Sequence, residues 1–102
     1  MIRGTTPTFS FEVDIDLTDW DTYVTIKQRK VLITHREPEI TPTEDGCIAS
    51  ITLTQAETLQ LSPGKAHAQI RLVDANGVAT STDIFDFSVS DILLEGEIPQ
   101  EV

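Results

Sequence analysis

Four aspartates surround the only tryptophan of the chain in the stretch D-I-D-L-T-D-W-D, residues 14–21. Such a cluster could bind a cation or supply a general acid and base. Calcium loops place ligands at alternating positions around a glycine and end in a bidentate glutamate, and this stretch lacks that spacing. Asp14 and Asp16 take consecutive outward positions of a strand, and the other two flank Trp20. The pattern favours a solvated strand face over a metal site, and a calcium-stabilised adhesin-like domain is the alternative.

Other residues that bind metals or attack substrates are few and dispersed. Cys47 is the only cysteine, which excludes an intramolecular disulfide, and its apolar neighbours predict an inert core thiol. His35 and His67 fall on different predicted strands without zinc-ligand spacing, and His35 is expected to pair with a carboxylate. Neither a G-x-S-x-G motif nor a phosphate loop is present. The sequence therefore predicts no catalytic residue, metal site, cofactor or enzymatic activity.

The charge balance limits the class of partner. The 102 residues carry 17 acidic and 7 basic side chains, for a formal net charge of −10, so nucleic acid and anionic lipid should be repelled. Four of the seven basic residues lie between Lys27 and Arg36, whereas residues 83–102 hold six acidic residues and no basic one. Solvated faces are the simpler interpretation of this asymmetry. Steering of head-to-tail self-association is the alternative.

Nothing in the chain predicts export or membrane insertion. The N-terminus, M-I-R-G-T-T-P, lacks the apolar region of a secretory signal, and no apolar run approaches membrane-spanning length. We therefore expect no membrane partner and synthesis in the cytoplasm. The length is sufficient for a single hydrophobic core.

The elements that carry these residues are mostly strands. Apolar and polar residues alternate over residues 8–17, which predicts one buried face, one acidic face and an antiparallel sheet covered on one side. Residues 37–46 contain two prolines, a glycine and four acids, and predict a loop or a short edge segment. Further strands are predicted over residues 20–28, 31–36, 47–54, 65–73 and 78–89.

One short helix interrupts this pattern. Thr54 and Glu57 have capping-box spacing, and the helix-forming residues that follow predict a helix near residues 55–60. We expect Leu59 and Leu61 to close the end of the core.

The last hairpin has two local signals. Asn76 and Gly77 tolerate positive φ and predict a tight turn. The apolar positions change parity within residues 78–89, which predicts a bulge near Asp83.

Together these signals predict an all-β fold, an immunoglobulin-like antiparallel β-sandwich of six or seven strands with one short helix. A partly open barrel is the alternative. Residues 1–90 form the predicted domain. Residues 91–102 form a tail with an apolar triplet, which either packs at the sandwich edge or docks on a neighbouring subunit.

Ordered segments over nearly the whole chain carry a family resemblance: M-I-R-G-T-T-P-T-F, D-L-T-D-W-D-T-Y-V-T-I-K-Q, L-T-Q-A-E-T-L and A-Q-I-R-L-V-D-A-N-G-V-A-T-S-T-D-I. With them the chain resembles small β-sandwich proteins encoded among prophage structural genes of Gram-positive gut bacteria. It is more loosely similar to the N-terminal sandwich domain of phage baseplate upper proteins. The resemblance implies a virion or tail-assembly component, with no catalytic residue carried over.

The predicted function is therefore that of a non-enzymatic structural or adaptor protein. Its expected partners are copies of itself or other phage tail or baseplate proteins, and virion association would follow synthesis. A carbohydrate- or protein-binding module, with Trp20 and Tyr23 as platforms, is the alternative. The candidate interaction surface comprises Trp20, Tyr23, Ile92, Leu93 and Leu94.

Overall fold

The computed structural model describes residues 1–15, 17 and 19–99. Within these residues there are eight strands and one helix. The elements are β1 (Thr8–Val13), β2 (Trp20–Gln28), β3 (Val31–Arg36), β4 (Glu39–Thr43), β5 (Gly46–Thr52), α1 (Gln55–Leu59), β6 (Gly64–Asp74), β7 (Ala79–Ser81) and β8 (Phe85–Val89). Asp16 of the aspartate cluster and the last three residues of the predicted tail lie outside the described residues.

The strands form two antiparallel sheets. The small sheet has the order β1-β5-β4, and the large sheet has the order β3-β2-β6, with β7 and β8 both paired to the free edge of β6. The hairpins β2–β3, β4–β5 and β6–β7 each stay within one sheet, while α1 carries the chain from the small sheet to the large one. The predicted all-β sandwich is confirmed, with eight strands where six or seven were predicted. The number is higher because the segment 37–46 contributes β4 and the predicted strand 78–89 is divided into β7 and β8.

The core lies between the inner faces of the two sheets. Alternate residues of β2, β5 and β6 point inwards, as the period-two pattern predicts, and most of their outward neighbours are polar, with Ile48 and Val73 as exceptions. The buried apolar residues are Leu17, Val24, Ile26, Ile33, Cys47, Ala49, Ile51, Leu53, Leu61, Ala66, Ala68, Ile70, Leu72 and Val89.

The first strand is shorter than predicted. β1 ends at Val13, which pairs with Cys47 next to the start of β5. Gly46 permits this close passage, because a Cβ there would lie only 2.0 Å from the carbonyl oxygen of Val13. Leu17 is nevertheless buried in the core, and Ile15 packs against it. Asp14 is exposed in a bend.

The predicted bulge near Asp83 is confirmed. Both β7 and β8 pair with β6, yet the three residues 82–84 lie opposite only two, 69–70. Thr82 stabilises the insertion, because its amide donates to the carbonyl of Ile70 and its hydroxyl accepts from the amide of the same residue. After the shift, Phe87 packs against the core, while Phe85 is 43% exposed and lies beside Phe11.

Those phenylalanines join the two sheets at one side. The rings of Phe9 and Phe87 lie 5.3 Å apart between centroids, and those of Phe11 and Phe85 lie 5.7 Å apart. Tilted pairs at this distance stabilise a core beyond the area that they bury. They hold β1 against β8, although the two strands belong to different sheets.

Within the segment 37–46, Glu39–Thr43 forms the edge strand β4, so the predicted short edge segment is confirmed over the predicted loop. Pro42 suits this position, since an edge strand needs no amide donor on its open side.

The helix forms where predicted and carries both halves of the capping box. The amide of Glu57 donates to the hydroxyl of Thr54, and the carboxylate of Glu57 accepts from the amide of Thr54. Leu61 fills the core as expected, but Leu59 is only half-buried. Thr58 takes the fully buried helical position instead, because its hydroxyl can bond the carbonyl of the chain beneath it.

Candidate interaction surface

The two predicted aromatic platforms lie on opposite sides of β2. Trp20 is half-buried and packs against the core, at the end of the strand where it pairs with Asp74. Tyr23 is on the outer face, and the guanidinium of Arg36 lies 5.6 Å above the centroid of its ring. These aromatic residues therefore share no surface, and a stacked ligand could contact only one of them.

The apolar triplet of the tail is divided between the body and the solvent. Ile92 is half-buried and packs closely on the backbone of Gly4. A Cβ atom at position 4 would lie only 3.1 Å from the Cδ1 atom of Ile92. Leu93 is fully exposed, at 106%, and Leu94 is 70% exposed. Two of the three predicted residues are thus available to a partner.

Arg3 holds the start of the tail on the body of the domain. Its guanidinium group donates to the carbonyl oxygens of Leu61 and Leu59, at 2.5 and 3.1 Å, next to the end of α1. It also forms ion pairs with Asp91 at 2.8 Å and Glu95 at 2.6 Å. One side chain therefore links the N-terminus, the helix and the tail, and we call this set of contacts the arginine clasp.

The charges of the clasp reinforce one another. Hydrogen bonds to Glu95 and then to Asp91 raise the pKa of Arg3 above its usual range. The amide of Ile92, followed by Arg3, lowers the pKa of Asp91 below its usual range. Arg3 therefore stays protonated and Asp91 ionised near neutral pH.

Gln55 holds the tail at a second point. Its Nε2 donates to the carbonyl of Ile98 at 3.1 Å, and its Oε1 accepts from the amide of Ile98 at 2.8 Å. The tail thus contacts its own chain at Arg3 and again at Gln55. Ile98 itself is 61% exposed.

The N-terminal residues run beside the end of β8. The amide of Ser90 donates to the carbonyl of Met1, and the amide of Arg3 donates to the carbonyl of Ser90. Ile2 lies between these bonds and is 51% exposed. Exposed large apolar residues therefore occur on both terminal segments: Ile2, Leu93, Leu94 and Ile98.

Both histidines lie beside a carboxylate. His35 Nε2 lies 2.7 Å from Glu57 Oε2, and His67 Nδ1 lies 2.6 Å from Asp86 Oδ1. Burial raises the pKa of Glu57, but the bond from the amide of Thr54 and the bond from His35 outweigh it, so the net shift is downwards. This pair joins the end of β3 to the helix.

The residues with potential for chemistry stay apart. Cys47 is buried, with its Sγ 3.3 Å from the carbonyl oxygen of Ile15. Glu12, Asp14 and Asp45 line one open cleft beside β1. Over residues 1–15, 17 and 19–99, no three His, Cys, Asp or Glu side chains converge in a way that could hold a metal ion. In the same residues, no helix has the length and apolar character that crossing a membrane requires.

Sequence reasoning found the exposed leucines but missed the residues that hold them. Arg3 contacts Asp91, which lies 88 positions away along the chain. Gln55 contacts Ile98, which lies 43 positions away. No local pattern marks such contacts. The only available signal was the pairing of a lone N-terminal arginine with a strongly acidic tail.

No protein-family model matches this chain, and no curated protein matches it either. The resemblance to prophage tail proteins therefore remains a prediction.

Proposed function

We propose that this chain is a non-enzymatic structural or adaptor protein of phage origin. It would be made in the cytoplasm and built into a virion by docking to copies of itself or to other tail or baseplate proteins. The observation that supports this most directly is the exposure of Leu93 and Leu94 on a segment that is itself fixed to the domain.

The physical argument concerns the ordering cost of binding. A free tail would lose backbone entropy of about 1–2 kcal/mol per residue when it docked. The arginine clasp and the Gln55–Ile98 contact have already ordered this tail, so most of that cost is absent. Each leucine contributes about 1.5–3 kcal/mol on full burial. A partner groove that accepted Leu93 and Leu94 would gain this energy with little ordering penalty.

The alternative, a carbohydrate-binding module, has weaker support. Sugar platforms use aromatic rings that are exposed and close together, and here Trp20 packs on the core while Tyr23 lies beneath Arg36. A glycan could therefore stack on a single ring at most. Glycan-array binding that is lost in Tyr23→Ala, with the fold intact, would favour this alternative over the structural one.

Light scattering against protein concentration tests the proposal. We expect wild-type protein to exceed the 11.3 kDa monomer mass as concentration rises. The double variant Leu93→Ser, Leu94→Ser should associate at least tenfold more weakly, because it removes the apolar contact. Val78→Ser is the matched control, since Val78 is 57% exposed but lies in the β6–β7 turn.

Two results would count against the proposal. The first is a wild-type protein that stays monomeric at high concentration with residues 91–99 mobile by NMR relaxation. The second is equal loss of association in the control. The neighbouring genes give an independent check: tail-tube, tape-measure or baseplate genes are expected, and a polysaccharide-degradation locus would favour the carbohydrate alternative.

A further inference from the structure

The outer face of the large sheet collects nearly all the positive charge of an acidic protein. Outward positions of β2, β3 and β6 place basic side chains beside Tyr23 and Thr25, and the β2–β3 turn adds two more. One open groove on this face is lined by Tyr23, Leu32, Thr34 and Arg71, which shows that the three strands share it. The basic residues of this face are Lys27, Arg29, Lys30, Arg36, Lys65 and Arg71. We call it the basic face.

The outer face of the small sheet has the opposite character. No lysine or arginine occurs in β1, β4 or β5, and the outward positions hold mostly hydroxyl residues and acids, with the half-buried Ile48 of β5 as an apolar exception. Glu12 and Glu39 are exposed there, and the β4–β5 turn adds two further acids. The acidic residues of this face and its adjoining turns are Glu12, Asp14, Glu39, Glu44 and Asp45. We call it the acidic face.

Among the described residues, most charges of the basic face have no carboxylate beside them. Lys65 lies 3.8 Å from Asp86, and the remaining basic residue of the chain, Arg3, belongs to the arginine clasp. In the part of the chain that the structure describes, the other five cations of the basic face have no carboxylate within 4.0 Å. The five acids of the acidic face likewise form no ion pair within the described residues.

We propose that the basic face of one copy docks on the acidic face of a second copy, head to tail. This inference rests on the proposed function, because it names the surfaces through which the chain would associate with itself. Two basic faces, or two acidic faces, would repel each other, so a symmetric dimer through either face is disfavoured. The contact is therefore heterologous, and each added copy exposes another face of each kind.

The two surfaces share one type of side chain, although they are opposite in charge. Both are sheet faces with short hydroxyl side chains, such as the paired Thr25 and Thr34 on one and the paired Ser10 and Ser50 on the other. With strands about 4.8 Å apart and a rise of about 3.3 Å per residue, the three strands of the acidic face cover roughly 300 Å² in projection. A stable interface buries about 800 Å² per partner, so the contact is expected to be weak and to need high protein concentration.

The dependence of association on salt concentration distinguishes this charged contact from an apolar one. At 0.01 M salt the screening length is about 30 Å, so the net charge of −10 repels whole molecules. At 1 M salt it is about 3 Å, and the ion pairs across the contact are weakened. Association through the sheet faces should therefore peak near 0.1 M salt. Association through exposed leucines would instead persist or strengthen at high salt.

Two neutralised variants test the proposal. The basic-neutral variant carries Lys27→Gln, Arg36→Gln and Arg71→Gln, and the acid-neutral variant carries Glu12→Gln, Glu39→Gln and Asp45→Asn. Each keeps one working face, so each alone should associate at least tenfold more weakly than wild type by sedimentation velocity. An equimolar mixture should form a dimer that cannot grow, because the only complementary faces left belong to different variants.

A variant whose substitutions perturb the sheet would also lose association, so two further measurements accompany the mixing experiment. Circular dichroism and thermal melting establish that each variant folds. A second pair of variants, one carrying Arg36→Glu and the other Glu39→Lys, repeats the mixing experiment with the charges reversed. The proposal is overturned if mixing restores no dimer, if wild type is monomeric near 0.1 M salt, or if association rises steadily with salt. If association is lost only in Leu93→Ser, Leu94→Ser, the proposed function stands and the sheet-face contact does not.

Discussion

Thr22 presents an unusual balance of burial and bonding. It lies on the inner face of β2 opposite Leu72, and it is only 2% exposed. Its hydroxyl oxygen has no hydrogen-bond partner among the described residues. Most buried polar side-chain atoms in proteins are bonded, so this hydroxyl is a cost that the fold tolerates. We expect the isosteric substitution Thr22→Val to stabilise the protein.

The size of the expected stabilisation follows from the burial of the Thr22 hydroxyl. Removing a buried hydroxyl that has no partner recovers a desolvation cost of about 1–3 kcal/mol. Both side chains are β-branched and suit a strand, so the backbone preference hardly changes. For a domain of this length, each kcal/mol raises the melting temperature by about 4–8 °C.

Thr58 provides the matched control with the opposite sign. It is also fully buried, but its hydroxyl donates to the carbonyl oxygen of Thr5 at 2.9 Å. Thr58→Val leaves that carbonyl without this donor and should cost about 0.5–1.5 kcal/mol. Helix propensities of threonine and valine are similar, so the difference isolates the hydrogen bond.

Urea unfolding of the two variants and the wild type measures both changes in one assay. The midpoint should rise for Thr22→Val and fall for Thr58→Val, with the slope unchanged in each case. A destabilised Thr22→Val would refute the reasoning, because it would mean that the hydroxyl has a partner such as an internal water. Equal effects at both positions would show that burial, and not bonding, decides the outcome.

Two further predictions concern the helix end of the sandwich. The folded pKa of Glu57 lies below its ordinary value of 4.5, so its ionised form favours folding above that pH, and this contribution is lost as the pH falls through the folded pKa. Glu57→Gln removes the carboxylate that bonds the ring of His35 and the amide of Thr54, so it should cost about 0.5–1 kcal/mol at pH 7 and flatten the acid limb of stability in urea unfolding from pH 3 to 7. An unchanged acid limb would contradict this. Gln55→Ala removes both hydrogen bonds to the backbone of Ile98, so amide hydrogen exchange at Ile98 should accelerate at least tenfold while the melting temperature changes little. Gln60→Ala is the control, because Gln60 is exposed. Equal exchange rates in the two variants would show that Gln55 does not hold the tail.

Local patterns were enough to predict most of the elements. Strands β2 and β3 begin and end where the alternation of residues predicts, and the capping box places α1 correctly. The bulge near Asp83 was predictable because a parity change has few other causes in a strand. These features depend on neighbours in sequence, which is why the residues alone reveal them.

Contacts across the molecule were not predictable in the same way. Leu59 was expected in the core, yet Thr58 is buried there because a carbonyl from residue 5 needs its hydroxyl. Arg3 gave no local signal, since its partners come from α1 and the tail. The charge asymmetry was visible in sequence, but only the strand order places four separated basic segments on one face.

The two proposed contacts use different directions of the domain. The basic and acidic faces are the broad outer sides of the sandwich, whereas the tail crosses the end where α1 joins the sheets. Stacking through the faces would therefore leave Leu93 and Leu94 accessible, and docking of the leucines would leave both faces open. A chain with both contacts could extend in one direction and attach to a different partner in another, which is what an adaptor in an assembly requires. Because the contacts share no residue, their variants should have independent effects, and a charge-neutral variant should still lose further association when Leu93 and Leu94 are replaced.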